Sequence, residues 1–333
     1  MKETFLARFR NGMAQNYPAV KGDRILVAVS GGPDSLALLL AFHEIEETDG
    51  YGIGACVVNH QIRKEAAAEA AFVQKVCEET GVPCYAETVD VPAYRKAHGG
   101  SVETVARELR YDVLRRVAKE HGYSHIATAH HRGDQAETVL YHLIRGSGLS
   151  GLSGMRPVKG DVIRPFLNFS KEEILQFLQA YPYTPCHDKS NDVPDAVRNK
   201  IRLDILPRIA EINPRVEEAL SRLAENCQRD EDFLQAEAET YACRAEFTED
   251  GIQMRCEDFE TIPSALRYRV IRLLWGKAGG SVPTTEEARR MERFLLEKEN
   301  GKITDAAGIL VEMKRNYFGL RRGNTRNYHK NNH

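Results

Sequence analysis

A single stretch, Arg24-Ile-Leu-Val-Ala-Val-Ser-Gly-Gly-Pro-Asp-Ser-Leu-Ala-Leu-Leu-Leu-Ala41, constrains the fold more than any other part of the chain. Its first apolar run, Ile25 to Val29, is short and rich in β-branched residues, which predicts a buried strand. Its second, Leu36 to Phe42, consists of strong helix formers and outlasts a strand's usual length. Strand, turn and helix in that order put the chemistry at the turn, Ser30-Gly31-Gly32-Pro33-Asp34-Ser35. Gly31 and Gly32 can take backbone angles closed to other residues and let a ligand approach the main chain. Ser30, Ser35 and the first free amides of the helix then donate to an anion, so the turn reads as a phosphate cradle. A P-loop would need a lysine directly after its last glycine, and here Asp34 stands in the loop instead. A carboxylate beside phosphates calls for a cation between them, which predicts Mg2+ bridging Asp34 to a polyphosphate.

The alternation continues downstream. Met1 to Val20 reads as a short helix, Tyr51 to His60 as a second strand with a polar end at Asn59 and His60, Glu65 to Thr80 as a helix stopped at Gly81, and Pro83 to Val89 as a third strand. Ser101 caps a long amphipathic helix to His121, with Val105, Leu109, Val113 and Val117 on one face and Arg107 and Arg110 off it. His125 to Ala129 is the next strand. Repeated β-α units predict a mostly parallel, Rossmann-like sheet with helices on both faces. Ligands of such sheets sit beyond the C-terminal strand ends, where Ser30 to Ser35, Asn59 and His60 all fall.

After that strand come His130-His131-Arg132-Gly133-Asp134-Gln135-Ala136-Glu137-Thr138 and a helix to Arg145. Asp134 and Glu137 lie three apart and share a helix face, and capping of the helix dipole is their plainest use. The paired histidines do not make a metalloprotease motif, because HExxH is absent. Gly146 to Gly154 is punctuated by glycine, as a flexible connector or an open backbone surface would be. Ser170 and Glu173 form a capping box. Asp188 to Asn191 is a polar turn, and in the helix after it Arg198 and Arg202 stand one turn apart on a common face.

Asn213-Pro214 starts a helix running toward Glu246, long enough to connect domains. Beyond it Ile252 to Cys256 reads as a strand, Ser264 to Lys277 and Glu286 to Glu297 as helices, and Lys302 to Leu320 as a β-pair, together a small α+β domain. The expected division is therefore 1–212, a connecting helix 213–246, and 247–333. From Thr261 onward there are 15 Lys/Arg against 7 Asp/Glu, although the whole chain carries a formal net charge of -2. Arg289, Arg290, Arg293, Lys314 and Arg315 mix with aromatic rings there, a combination that suits RNA backbone and bases. With 333 residues, 42% of them apolar, the chain can bury a substantial core. Its start has neither signal-peptide nor membrane-span character, which points to the cytoplasm and away from membranes. The 7 cysteines include no C-x-x-C pair and read as reduced thiols.

Taken in order, Ser30 to Ser35, Val58-Asn-His60-Gln-Ile-Arg63, Ala106-Arg-Glu-Leu-Arg-Tyr111, Thr128 to Thr138, Arg145-Gly-Ser-Gly-Leu-Ser-Gly-Leu152, Asp188-Lys-Ser-Asn191 and Arg198-Asn-Lys-Ile-Arg202 resemble the motif set of the tRNA(Ile)-lysidine synthases, a branch of the N-type ATP pyrophosphatases. The match runs from about Arg24 to Pro207, and the region after Glu246 resembles the family's substrate-binding domain more loosely. Longer members carry a further C-terminal domain beyond the stretch matched here. The resemblance implies an adenine nucleotide alpha hydrolase-like fold. It also implies ligation of free L-lysine to C2 of the wobble cytidine in the CAU anticodon of tRNA(Ile), with ATP consumed through an adenylated intermediate. On this reading Ser30 to Ser35, Asn59, His60 and Ala129 bind ATP, and Asp34 and Asp134 hold Mg2+. Arg110, His131, Asp134 and Glu137 serve catalysis. Asp134, Glu137, Arg198 and Arg202 meet lysine or tRNA, and Arg289, Arg290, Arg293, Lys314 and Arg315 meet tRNA. A homodimer is left open, as is the division of the carboxylates between metal and lysine.

Overall fold

A computed structural model of the chain describes residues 2–17, 22–62, 66–186, 197–249, 251–298, 303–306 and 308–322. Arg63 and the polar turn Asp188 to Asn191 lie outside the described residues. The chain divides into two compact units, Met1–Gln228 and Arg229–His333.

The first unit is built on a six-stranded sheet in the order β3-β2-β1-β4-β6-β5. The strands are β1 (Arg24–Ala28), β2 (Gly52–Asn59), β3 (Cys84–Thr88), β4 (His125–Ala127), β5 (Val158–Lys159) and β6 (Val162–Ile163). All neighbours pair in parallel except β5 with β6, and Val27 stands opposite both Ala55 and Ala127. The continuous apolar run of β1 follows from burial on both faces. Ile25, Val27 and Val29 point into one core with α1 (Lys2–Asn16), α2 (Pro33–Asp49) and α3 (Ala66–Thr80), while Leu26 points into a second core. The middle of α2 is apolar all round, Leu36 to Phe42 being buried without exception. Phe5 of α1 stacks on Phe177 with ring centroids 4.3 Å apart, which ties the N-terminal helix to the same core.

Two helices follow β3, and the second of them covers the other face. α4 (Val91–His98) is absent from the sequence reading; Asp90 caps it by accepting from the Ala93 amide at 2.8 Å. α5 (Val102–His121) starts at Ser101 as expected and buries Val113, Leu114 and Val117 against Leu26 and Ile126. α6 (Arg132–Ile144) follows β4. The glycine-rich segment after it exposes Gly146 and Gly148, and a Cβ on either would meet nothing within 4 Å. It holds a one-turn helix, α7 (Leu149–Leu152), and Gln135 pins its exit by bonding both ways to the Met155 backbone, at 2.7 and 2.9 Å. Gly154, at φ +57°, lies so close to Gln135 that a Cβ there would meet its Oε1 at 2.7 Å.

α8 (Lys171–Leu178) begins at the Ser170/Glu173 capping box. Then α9 (Val197–Lys200) passes through a π-helical turn, Ile201–Ile205, into α10 (Leu206–Ile212). The long helix α11 (Val216–Ala242) starts later than Asn213-Pro214 implied, because Asn213 Oδ1 accepts from the Arg215 amide at 3.1 Å and makes a turn first.

The second unit has a five-stranded sheet in the order β7-β8-β11-β10-β9. Its strands are β7 (Glu246–Thr248), β8 (Gly251–Arg255), β9 (Ile303–Ala306), β10 (Ile309–Lys314) and β11 (Tyr317–Arg322), and every pair is antiparallel. The stretch expected to be a β-pair thus holds β9, β10 and most of β11, three adjacent strands of this larger sheet. α12 (Cys256–Glu260), α13 (Ser264–Lys277) and α14 (Thr285–Glu297) join it around Trp275, Phe259 and Phe318. The Thr284/Glu287 capping box is present.

Candidate active site

The strand order reverses direction beside β1, whose neighbours are β2 and β4. That is the switch point where an open α/β sheet leaves a crevice beyond its C-terminal edge. The turn after β1 and the turn after β4 flank it.

At the first turn Gly31 takes φ +84°, a left-handed conformation, and a Cβ there would meet Cys186 Sγ at 3.5 Å. The Cys186 amide donates to Gly31 O at 2.9 Å, holding the turn from behind. Ser35 Oγ accepts from the Ser30 amide at 3.1 Å and donates to Gly32 O at 3.0 Å, so the loop closes on its own hydroxyl. Gly32 is the N-cap of α2 and brings no side-chain cap, while Pro33 removes a donor that a helix start does not need. This geometry fits an anion on the helix N-terminus. Asn59 Oδ1 accepts from the Gln61 amide at 2.9 Å and so shapes the end of β2, with His60 next to it. Ala129 lies half-buried past the end of β4, against the first core.

Asp34 meets a residue the sequence reading did not assign: Lys171 Nζ stands 2.5 Å from its Oδ1. The two are 137 positions apart, and the capping box beside Lys171 gives no hint of the contact. Among the described residues no three His, Cys, Asp or Glu side chains converge as a metal cage. Mg2+ carried by a nucleotide takes one or two carboxylates with phosphate oxygens and water, so partly exposed Asp34 in the phosphate turn fits it.

Beyond β4, the side chain of His131 caps α6 by accepting from the Gly133 amide at 3.0 Å, and Asp134 Oδ2 accepts from the His131 amide at 3.0 Å. Asp134 and Glu137 do share a face, and Arg202 bridges them: its Nη2 lies 3.1 Å from Asp134 Oδ1 and 3.1 Å from Glu137 Oε2, and its Nε bonds Glu137 Oε1. Arg198 Nε donates to Glu137 Oε2 at 3.0 Å. Glu137 is only 2% exposed, with both oxygens on guanidinium groups. Burial pushes the Asp134 carboxyl up, but His131, whose amide also donates to it, and Arg198 more than offset this and hold it below the usual range. Burial lowers the Arg202 proton affinity, and Glu137, Asp134 and Asp34 together raise it above the ordinary value. The charge of the phosphate turn therefore reaches the arginine that clamps α6.

A second arginine group lies on the α5 side. His130, whose Nδ1 is 2.9 Å from Thr128 Oγ1, is pushed down to about 3 by burial and by Arg164, Arg107 and Arg110, against the pull of Asp134. Burial also lowers Arg110. Arg164 is 5% exposed and donates to Arg156 O at 2.7 Å. Among the described residues no carboxylate forms an ion pair with Arg107, Arg110 or Arg164. Glu217, near His131 and Gly133, is raised by burial. Arg164 and Glu217 carried no local signal that would have singled them out.

In the second unit Arg289, Arg290 and Arg293 are exposed on α14, and Lys314 and Arg315 are exposed at the β10–β11 turn. Arg267 and Arg269, by contrast, are committed to Glu292 and Glu231.

The sheet order, the phosphate turn and its acidic residue define an ATP-binding protein of the PP-loop class, and the PP-loop domain family matches residues 1–209. The U34-tRNA thiolase NcsA from Methanococcus maripaludis, solved with its 4Fe-4S cluster, superposes with a TM-score of 0.57 at 18% identity, over 67% of this chain and 78% of that one. This likeness is one of fold. The tRNA(Ile)-lysidine synthase of Clostridioides difficile is 33% identical over 91% of this chain and 65% of its own length. That of Petrotoga mobilis is 34% identical over 87% of this chain and 92% of its own length. The chain belongs to the tRNA(Ile)-lysidine synthase family. It spans 54% of the Thermosipho africanus relative. Among the described residues no helix is long and apolar enough to cross a membrane.

Proposed function

We propose that this chain forms lysidine on tRNA(Ile). ATP adenylates the C2 oxygen of the wobble cytidine of the CAU anticodon, pyrophosphate leaves, and the ε-amine of free L-lysine then displaces AMP. The modified base pairs with A in place of G, which moves codon specificity from AUG to AUA and identity from methionine to isoleucine. The observation that carries this reading is the meeting of two groups at one switch point: the phosphate turn after β1, and Asp134 with Arg202 after β4.

The geometry supports a role for each group. Ser30 to Ser35 and the first amides of α2 hold the phosphates, and Arg110 neutralises charge as pyrophosphate parts. Mg2+, when bound with ATP, supplies Lewis-acid charge at the phosphates. Asp34 is the residue we assign to hold it, in exchange for its contact with Lys171. Asp134 is a second candidate for the metal and, with Glu137, for lysine's ammonium; one of its oxygens faces Arg202 and the other the His131 amide. Arg198 and Arg202 take the lysine carboxylate or a tRNA phosphate, and buried Glu137 sets their direction. The attacking amine must shed a proton, and we assign its relay to His131, whose Nε2 lies 3.7 Å from Asp134 Oδ2, once Nδ1 gives up its bond from the Gly133 amide. Arg289, Arg290, Arg293, Lys314 and Arg315 bind tRNA. Residues 1–212 are the catalytic part, 213–246 a connector, and 247–333 the tRNA-binding part.

The test is direct. Incubation with ATP, Mg2+, radiolabelled lysine and a CAU-anticodon tRNA(Ile) transcript should put label into RNA, and a transcript with the wobble cytidine replaced should stay unlabelled. Absence of label in both overturns the proposal.

A further inference from the structure

The helix that the sequence reading missed, α4, carries an arrangement to which neither the fold nor the reaction assigns a role. It starts three residues after the end of β3, so it leaves the sheet at the same C-terminal edge as the phosphate turn. With β2 as the one strand between β3 and β1, strand spacing puts the two strand ends about 10 Å apart. Only Val91 of this helix is buried, and Pro92 to His98 are exposed.

On that exposed surface Tyr94 and His98 are stacked, with ring centroids 4.3 Å apart and planes 24° from parallel. The His98 ring nitrogen lies 3.1 Å from Tyr94 O, which fixes the pair. Tyr94 remains 38% exposed despite the stacking. Arg95 and Lys96 lie between the two rings in sequence, and from Val91 to Val102 there is no carboxylate. Arg95 Nε donates to Gly100 O at 3.1 Å, so the guanidinium is anchored near the hairpin leading to α5, the helix that carries Arg107.

Rings held face to face, cations beside them and no acid are what unpaired bases and their backbone require of a protein surface. We infer that the outer face of α4, with Tyr94 and His98 as stacking platform and Arg95 and Lys96 as phosphate contacts, binds single-stranded RNA flanking the reacting base. The inference rests on the proposed reaction for the identity of the RNA. The end of β3, which leads into α4, lies about 10 Å from the end of β1, a span of about three nucleotides at about 3.4 Å each. A solvated helix without a ligand is the competing account, and it makes the opposite prediction for binding.

The experiment uses the full chain and the CAU-anticodon tRNA(Ile) transcript, with affinity read at several salt concentrations and lysine incorporation read separately. Tyr94→Ala is expected to weaken binding about tenfold, the loss of one base-stacking contact, while Tyr94→Phe retains it. Arg95→Gln with Lys96→Gln should reduce the salt slope by about 1.4. The KM for lysine should stay unchanged in all three. Wild-type affinity and slope in the Tyr94→Ala and Arg95→Gln/Lys96→Gln proteins overturn the platform and leave the reaction standing. A wild type that binds the transcript but incorporates no lysine overturns the reaction instead, and one that binds no transcript overturns both.

Discussion

Arg202 Nη2 stands 3.1 Å from Asp134 Oδ1, so a side chain from the π-helical turn closes onto the first turn of α6. The same guanidinium reaches Glu137, and with Arg198 it surrounds a carboxylate that has almost no contact with water. Such a group is stable as an ion only while its partners are present. Glu137→Gln should therefore cost about 3 kcal/mol in chemical denaturation and abolish lysine incorporation. A variant as stable as the wild type would show that the clamp contributes nothing to the fold.

Gly31→Ala places a methyl group on a left-handed residue, with Cys186 Sγ 3.5 Å and Glu69 O 3.6 Å from the new Cβ. The strain is about 1 to 2 kcal/mol, and it falls on the phosphate turn. ATP affinity, measured by equilibrium binding, should drop by about tenfold or more, with a small loss of thermal stability.

The Asp34–Lys171 pair is partly exposed on both sides, at 28% and 37%, so its own contribution to stability is below about 1 kcal/mol. Asp34→Ala should leave the melting temperature nearly unchanged and abolish ATP/pyrophosphate exchange. Near-normal exchange would remove Asp34 from the metal.

His130 is neutral in the folded protein down to about pH 3, held there by burial and three arginines, whereas an unfolded histidine titrates near its ordinary value. The unfolded state thus binds the extra proton first as pH falls. The stability tied to His130 is fully present above about pH 6.5 and is lost progressively toward pH 3. Asp134, also held low, loses stability in the same direction at the acid end. Unfolding free energy followed between pH 7 and 4 should fall, and His130→Asn should flatten that slope.

Replacing Arg289, Arg290 and Arg293 together by glutamine should weaken tRNA binding and reduce its salt slope by about 2 to 3. ATP affinity, measured by equilibrium binding without tRNA, should not change. If affinity and slope are unaltered, the exposed face of α14 is solvated surface.

What could be read from the sequence was local. The strand-turn-helix at Arg24 to Phe42 is legible because both apolar runs and the glycines between them lie within one short window. The shared face of Asp134 and Glu137, and that of Arg198 and Arg202, follow from helical spacing alone. That the two faces would lock together over 61 to 68 positions does not, and neither does Lys171 reaching Asp34. α4 escaped because it buries one residue in eight and so leaves no periodic trace. β7 was missed because it is only 3 residues long, too short to show alternation.

Pro207 lies at the start of α10, immediately after the turn in which the Leu206 amide reaches back to Ile201 O. In a regular α-helix its ring would collide with the carbonyl of Leu203. The wider coil gives that ring room, and the extra residue it accommodates is worth about 100° of rotation between the α9 side and the α10 side. Upstream of it the helix delivers two guanidiniums to acids; downstream it presents Leu206 and Ile209 to the oily seam with Leu140 and Val216. Deleting one residue from this turn would take away that rotation, and the helix could then satisfy the acids on one side or the apolar seam on the other, but not both.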